Sequence, residues 1–253
     1  MKRILYTYLL LFGLTAWAQS PEALFQQAND AYKKGDYQTA VSAYEKVLQS
    51  GKEAPELYFN MANAYYKLNK IAPSIYYYEK ALQLAPSDED IAYNLALANK
   101  MKIDKIDKVP ENFFLRLRKN MAHWFSSDAW AKIAVFFAFF GLILFVIFLF
   151  NKQTHLKRLT FVGMFVSLFM LLFSLYNANF AKHLEQVKYA IIFVPETELR
   201  NEPNLTADKV VTLHEGTKVR LEKTEGNWAY VKLPDGKKAW IPASDVRFLS
   251  VNK

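Results

Sequence analysis

The chain has 253 residues, 52% of them hydrophobic, no cysteine and a formal net charge of +8. Zero cysteine excludes disulfide frameworks, thiol catalysis and cysteine-ligated zinc or iron–sulfur sites. The eight glycines lie too far apart for G-x-G-x-x-G, phosphate-cradling or G-x-S-x-G loops. The charge also argues against a nucleic-acid partner: residues 21–108 carry 11 basic and 12 acidic side chains, so the excess sits beside apolar segments.

The amino terminus reads Lys2-Arg3, an uncharged run Ile4–Leu14, then Ala16-Trp17-Ala18. A basic start, a short apolar run and an A-x-A site predict a secretory signal peptide over 1–18. Residues 19–108 are predicted to be helical, and they repeat. Shifting the chain by 34 residues places Pro21 on Pro55, Ala28 on Ala62, Asn29 on Asn63, Tyr32 on Tyr66 and Tyr44 on Tyr78 without a gap. With the Lys34-Gly35-Asp36-Tyr37 turn, Ala40, Lys46-Val47-Leu48, Lys80-Ala81-Leu82 and Pro86, this pattern resembles the tetratricopeptide repeat. A third segment, starting at Glu89, keeps Asn94-Leu95-Ala96 and then loses the pattern, which predicts two repeats and a capping helix. The resemblance implies a groove for partner proteins lined by Phe25, Asn29, Tyr32, Lys33, Phe59, Asn60, Asn63, Tyr66, Lys67, Tyr93 and Leu97. The positions matching the cations of a carboxylate clamp hold Phe25, Asp90 and Asn94 instead.

After Pro110, the apolar residues Phe113, Phe114, Leu117, Met121, Trp124 and Phe125 recur at helical spacing, with Arg116, Arg118 and Lys119 off their stripe. A basic amphipathic helix over 109–127 is expected to lie in the lipid headgroup layer, with Phe113, Phe114, Arg116, Arg118, Lys119 and Trp124 at the interface. Ser126 or Ser127 can cap the helix that follows, with Asp128 at its positive end. Two uncharged runs come next, Ile133–Phe150 and Leu159–Ala181. About 20 apolar residues cross a bilayer core, so spans are predicted at 129–150 and 159–181, joined by a loop at 151–158. That loop carries Lys152, Lys157 and Arg158 and so belongs on the cytoplasmic side. A cleaved signal peptide then places both soluble parts in the same compartment outside the cytoplasm.

From Tyr189 the chain changes to short β-branched and aromatic runs at 190–194, 209–213, 217–223, 228–233 and 238–242, separated by Glu215-Gly216, Glu225-Gly226 and Asp235-Gly236. Such spacing predicts a small all-β barrel over 186–250. The residues Leu199-Arg200-Asn201-Glu202-Pro203, Gly216-Thr217-Lys218-Val219, Glu225-Gly226-Asn227-Trp228 and Ala239-Trp240-Ile241 resemble the bacterial SH3 domain. That resemblance implies a barrel that binds cell-wall peptides or partner proteins, with Trp228, Trp240 and Arg200 as surface candidates.

The histidines His123, His155, His183 and His214 stand in separate segments, and no nucleophile–base set can be assembled. No catalytic residue, metal site or cofactor is expected. The order of modules (signal peptide, tetratricopeptide repeats, basic helix, two spans, bacterial SH3 domain) resembles the BatE proteins of the Bacteroides aerotolerance operon. That resemblance implies a non-enzymatic scaffold of the bacterial inner membrane, with both soluble domains in the periplasm, working with membrane-anchored von Willebrand A-domain proteins and a MoxR-type ATPase. The alternative is a protein that senses or recruits to peptidoglycan through its SH3 barrel.

Overall fold

A computed structural model describes residues 20–107, 109–122 and 124–249. The signal peptide expected at 1–18 lies outside the described residues. The chain folds as two compact units, of which one combines the residues up to Asp107 with those from Lys188 onward, and the other is 108–187.

Among the described residues, the first unit opens with five helices: α1 (Pro21–Lys33), α2 (Tyr37–Gln49), α3 (Pro55–Lys67), α4 (Ile71–Leu84) and α5 (Glu89–Lys100). Local chemistry explains their ends. Ser20, Asp36 and Asp88 accept hydrogen bonds from the backbone N–H of Ala23, Thr39 and Ile91, so three helices start on a side-chain cap. Pro21 and Pro55 occupy first helical turns, where the missing N–H costs nothing. Gly35 ends α1 at φ +81°, and Asn69, its equivalent 34 residues later, ends α3 at φ +57°. Asparagine is among the few side chains that visit this left-handed region readily, so the turn survives the loss of glycine.

The repeat extends to side-chain packing. Ala28 and Ala62 are fully buried where helices approach closely. The Phe25 and Tyr44 rings lie 5.9 Å apart, and so do those of Phe59 and Tyr78. The Tyr44 hydroxyl donates to Asn29 Oδ1 at 2.6 Å, and the Tyr78 hydroxyl donates to Asn63 Oδ1. The third segment breaks this register. Ala96, two periods after Ala28, is exposed because no helix follows to cover it.

The same unit closes with β1 (Lys188–Ile192), β2 (Glu196–Arg200), β3 (Lys209–His214), β4 (Lys218–Glu225), β5 (Trp228–Lys232), β6 (Lys238–Pro242), a 3₁₀ turn at Ala243–Asp245 and β7 (Val246–Phe248). They pair antiparallel in the order β3-β2-β6-β5-β4-β1-β7. Ala190, Ile192, Leu199, Leu213, Val219, Ala229, Val231 and Ile241 fill the barrel. Gly216, Gly226 and Gly236 take positive φ at the expected turns.

The second unit holds α6 (Phe113–Ala122), α7 (Ser127–Phe150) and α8 (Thr154–Glu185). Ser126 caps α7 through the Ala129 N–H at 3.2 Å, and Asp128 sits in its first turn. Both α7 and α8 are long and apolar enough to cross a membrane. The segment expected as a loop over 151–158 is shorter here, since α8 begins at Thr154. Thr-His-Leu-Lys-Arg contains no glycine or proline to stop a helix, so the helix runs on past the apolar stretch. The helices meet through small residues. Ser167 Oγ donates to the Phe137 carbonyl at 2.6 Å, and a Cβ placed on Gly141 would come within 3.1 Å of that hydroxyl oxygen.

Candidate partner-binding surfaces

The predicted groove residues lie on α1, α3 and α5, and the structure divides them by what they already hold. Asn29 Oδ1 accepts from Tyr44 and from Asn60 Nδ2 at 3.1 Å, so Asn29 and Asn60 link α1 to α3. Asn63 is the acceptor for Tyr78. Asn94, the next equivalent of Asn60, turns back to the Asp90 carbonyl at 2.8 Å. Phe25, Tyr32, Phe59 and Tyr66 are half-buried, packed against the helical core. Lys33, Lys67 and Tyr93 are exposed, Tyr93 to 65%. The asparagines are therefore engaged in hydrogen bonds within the helical region, while the two lysines and Tyr93 project from the surface. Burial pushes the Tyr44 hydroxyl up to about 12, with the neighbouring Tyr32 adding to the shift, so it stays a neutral donor to Asn29 at physiological pH.

On the barrel, Trp240 is only 8% exposed. Its ring lies 4.9 Å from Tyr230, across from it in the β5–β6 ladder, with the Lys223 ammonium 4.8 Å from the ring centre. Little of Trp240 is left for a partner, whereas Trp228, at the start of β5, is half-buried. The Arg200 guanidinium donates to the Ala207 carbonyl and to Glu198 Oε2, both at 2.6 Å, bracing the 201–208 turn. Beside it Glu196, Thr197, Glu198, Leu205, Pro242 and Asp245 line a cleft of about 380 Å³.

A third surface carries no motif and was not anticipated: the face on which barrel and repeats dock. In β1 and the residues after it, Ala190, Ile192 and Val194 enter the barrel core, while Tyr189, Ile191 and Phe193 join the helical core. The Tyr76 ring on α4 meets Phe193 at 5.6 Å, its hydroxyl donates to the Phe248 carbonyl at 3.3 Å, and Arg247 lies 4.1 Å from the Phe193 ring centre. Lys218 pairs with Glu79 at 2.6 Å. Asp104, its side chain 9% exposed, accepts from the His214 backbone N–H at 2.7 Å and the Thr217 hydroxyl at 2.7 Å, with His214 Nδ1 at 2.8 Å. Burial alone would raise the Asp104 pKa, but these hydrogen bonds outweigh it and hold the carboxyl below its usual range. Gly216 sits against Ile71 and Ile75, whose methyl carbons would lie 3.0 Å from a Cβ placed there, a tight contact. The clue in the sequence is Tyr189–Val194, apolar at both odd and even positions, which marks a strand covered on both faces.

In the second unit, Phe113, Phe114, Leu117, Trp124 and Phe125 of the predicted stripe are all exposed. Arg116 is exposed as well, Lys119 pairs with Glu111, and Arg118 turns onto α8.

Among the described residues no group of three or more His, Asp or Glu side chains is placed to hold a metal ion. Residues 25–89 match the family model described as a tetratricopeptide repeat, and residues 195–247 match that of the bacterial SH3 domain. No curated protein is detectably similar to the chain. The chain thus joins a helical region that matches the tetratricopeptide repeat to an antiparallel sheet that matches the bacterial SH3 domain, separated in sequence by two helices long and apolar enough to span a bilayer.

Proposed function

We propose that this protein is a non-enzymatic scaffold of the bacterial inner membrane that holds partner proteins at the periplasmic face. One observation carries the reading: the repeats and the barrel, separated by two potential spans, pack as a single unit. An even number of crossings returns the chain to its starting side, which is what such packing requires. The basic residues Lys152, Lys157 and Arg158 at the tight turn between α7 and α8 support a cytoplasmic turn, and hence a periplasmic unit. Partners bind the repeat surface through Lys33, Lys67, Tyr66 and Tyr93, with Phe25, Tyr32 and Phe59 beneath. The module order supports a BatE-like role, with membrane-anchored von Willebrand A-domain proteins and a MoxR-type ATPase system as partners in a stress or aerotolerance complex.

Photo-crosslinking in cells from Tyr93 tests the groove. The wild-type protein captures a defined set of envelope proteins, and the Tyr66→Ala, Lys67→Glu variant loses it. Capture of the same set by the variant rejects the groove.

The second reading, recruitment to peptidoglycan, is favoured by the barrel cleft, where Glu196, Glu198 and Asp245 outnumber Arg200 and suit the amino groups of wall peptides. Co-sedimentation of the detergent-solubilised full chain with peptidoglycan, reduced by Trp228→Ala, selects this reading. No co-sedimentation leaves the protein scaffold.

A further inference from the structure

The Arg118 guanidinium is set between two aromatic rings of α8, with its central carbon 3.6 Å from the Phe180 centroid and 4.5 Å from that of Tyr176. Its Nε is buried and has no hydrogen-bond partner among the described residues. Arginine cannot discharge by losing a proton, and while the covered Nε is out of reach, the two terminal NH2 groups also make no hydrogen bond among the described residues, so their acceptor must come from outside the chain. The neighbouring carboxylates are engaged. Glu111 pairs with Lys119, and Glu185 accepts from the Ser127 N–H at 3.0 Å and from its hydroxyl at 2.7 Å. Asp128 lies in the first turn of α7, where the helix dipole favours it.

The position of this cation along α8 is informative. Tyr176 and Phe180 are in the last turns of the uncharged run that ends at Ala181, followed by Lys182 and His183. If α8 spans the bilayer, that is the level at which hydrocarbon gives way to headgroups. On α6 the exposed aromatic side chains of Phe113 and Phe114 accompany the cation, as they would in a helix lying in the interface. Arg116 and Lys182 add positive charge nearby.

We propose that Arg118, clamped by Tyr176 and Phe180, is a binding site for the phosphate of an anionic phospholipid headgroup. The rings fix the plane of the guanidinium and strip water from its faces, leaving the terminal NH2 groups to donate to phosphate oxygens. The proposal rests on the membrane reading of α7 and α8, and its test separates the two.

The full chain is reconstituted into phosphatidylcholine vesicles with or without phosphatidylglycerol, and resistance to alkaline carbonate extraction establishes insertion independently. The measured quantity is the motionally restricted fraction of spin-labelled phosphatidylglycerol compared with spin-labelled phosphatidylcholine. The wild-type protein prefers phosphatidylglycerol by about fivefold, the worth of one basic side chain at an anionic surface. Arg118→Gln abolishes most of that preference, Arg118→Lys retains part of it, Arg116→Gln changes it less, and excess inorganic phosphate leaves it intact. The proposal is overturned by an inserted wild-type protein with no preference, by equal losses in the Arg118→Gln and Arg116→Gln proteins, or by competition from inorganic phosphate. Because the wild-type comparison alone can overturn it, a variant that fails to fold does not shelter the proposal. Failure to insert rejects the membrane reading instead.

Discussion

The two units of this molecule hold their elements together by opposite chemistries. Where the barrel meets the repeats, contact is made by a desolvated carboxylate, an ion pair, an edge-to-face pair of aromatic rings and a strand covered on both faces. Within the apolar stretch where α7 meets α8, contact is made by the close approach at Gly141, a serine hydroxyl on a carbonyl and ring contacts such as Trp130 with Phe173. A carboxylate, Glu185, takes part only at the helix ends, where it accepts from Ser127. The difference follows from the solvent. In water, burial of apolar surface drives association, and charged groups select the register. Between two helices suited to hydrocarbon, burial of apolar surface gains nothing over contact with lipid, so tight packing of small residues takes its place. Substitutions at the two seams should therefore differ in size and in pH response.

The largest effect is expected at Asp104. Asp104→Ala strands the His214 N–H and the Thr217 hydroxyl in a nearly dry setting. Hydrogen bonds to a charged group contribute about 1.5–3 kcal/mol each and leaving buried donors unpaired adds to the loss, so unfolding of the water-facing unit should become easier by roughly 3 kcal/mol. Urea unfolding of the full chain in detergent measures it. The same contact predicts a pH response. The Asp104 carboxyl titrates below the ordinary carboxylate range in the folded state, so its stabilisation is present above that range and is lost as pH falls through the depressed value. The barrel should loosen from the repeats in acid, and the Asp104→Ala protein should show a flatter profile over that range. Ser167 and Gly141 do not titrate, so the α7–α8 contact they make should not follow.

Next in size is Gly216→Ala. At φ +81° any side chain is strained, and here a Cβ would also approach the Ile71 and Ile75 methyl groups to 3.0 Å. Gly226→Ala, at φ +54° in open space, carries strain without the contact. The first should cost about 2 kcal/mol and the second about 1 kcal/mol, since a left-handed non-glycine residue costs of order 1–3 kcal/mol. Equal losses in thermal unfolding would mean that the barrel is not pressed against α4.

This docking face also marks the limit of what could be read from the amino acids. The repeats, the basic helix, both long apolar helices and five of seven strands were legible because each depends on local periodicity. Strand β2 was missed as a strand because Glu-Thr-Glu-Leu-Arg reads as charged; only Thr197 and Leu199 are buried, and its other side chains stay at the surface. Helix α8 starts at Thr154, ahead of the apolar run that begins at Leu159, because charge bounds only the part of a helix suited to hydrocarbon and not the helix itself. Among the site residues, the exposed Lys33, Lys67 and Tyr93 were nominated on repeat position alone. The internal duty of Asn29 and Asn63 could have been inferred, since each is repeated in step with a tyrosine fifteen residues later. The docking contacts join residues more than a hundred positions apart, such as Asp104 with His214 and Glu79 with Lys218. No local pattern announces those.

The smallest effects make the sharpest comparison, because one hydroxyl can be deleted in each setting. Tyr44→Phe removes the donor to Asn29 inside the repeats and should cost about 1 kcal/mol, an ordinary net hydrogen bond. It also removes a group whose pKa is raised from 10.0 to about 12. That contribution is fully present below pH 10 and is lost as pH rises toward 12, so wild-type and variant stabilities should converge in strong base. Ser167→Ala removes the donor to the Phe137 carbonyl between α7 and α8. Simple electrostatics says that a hydrogen bond in hydrocarbon is the stronger, but a helix separated from its partner can satisfy a serine on its own backbone, and the net cost should be about 0.6 kcal/mol. Thermal loss of helicity in micelles measures the second, and urea unfolding the first. If Ser167→Ala proves several times costlier than Tyr44→Phe, then the hairpin is held by its polar bond and not by the close approach at Gly141, and the contrast between the two seams is much narrower than their compositions imply.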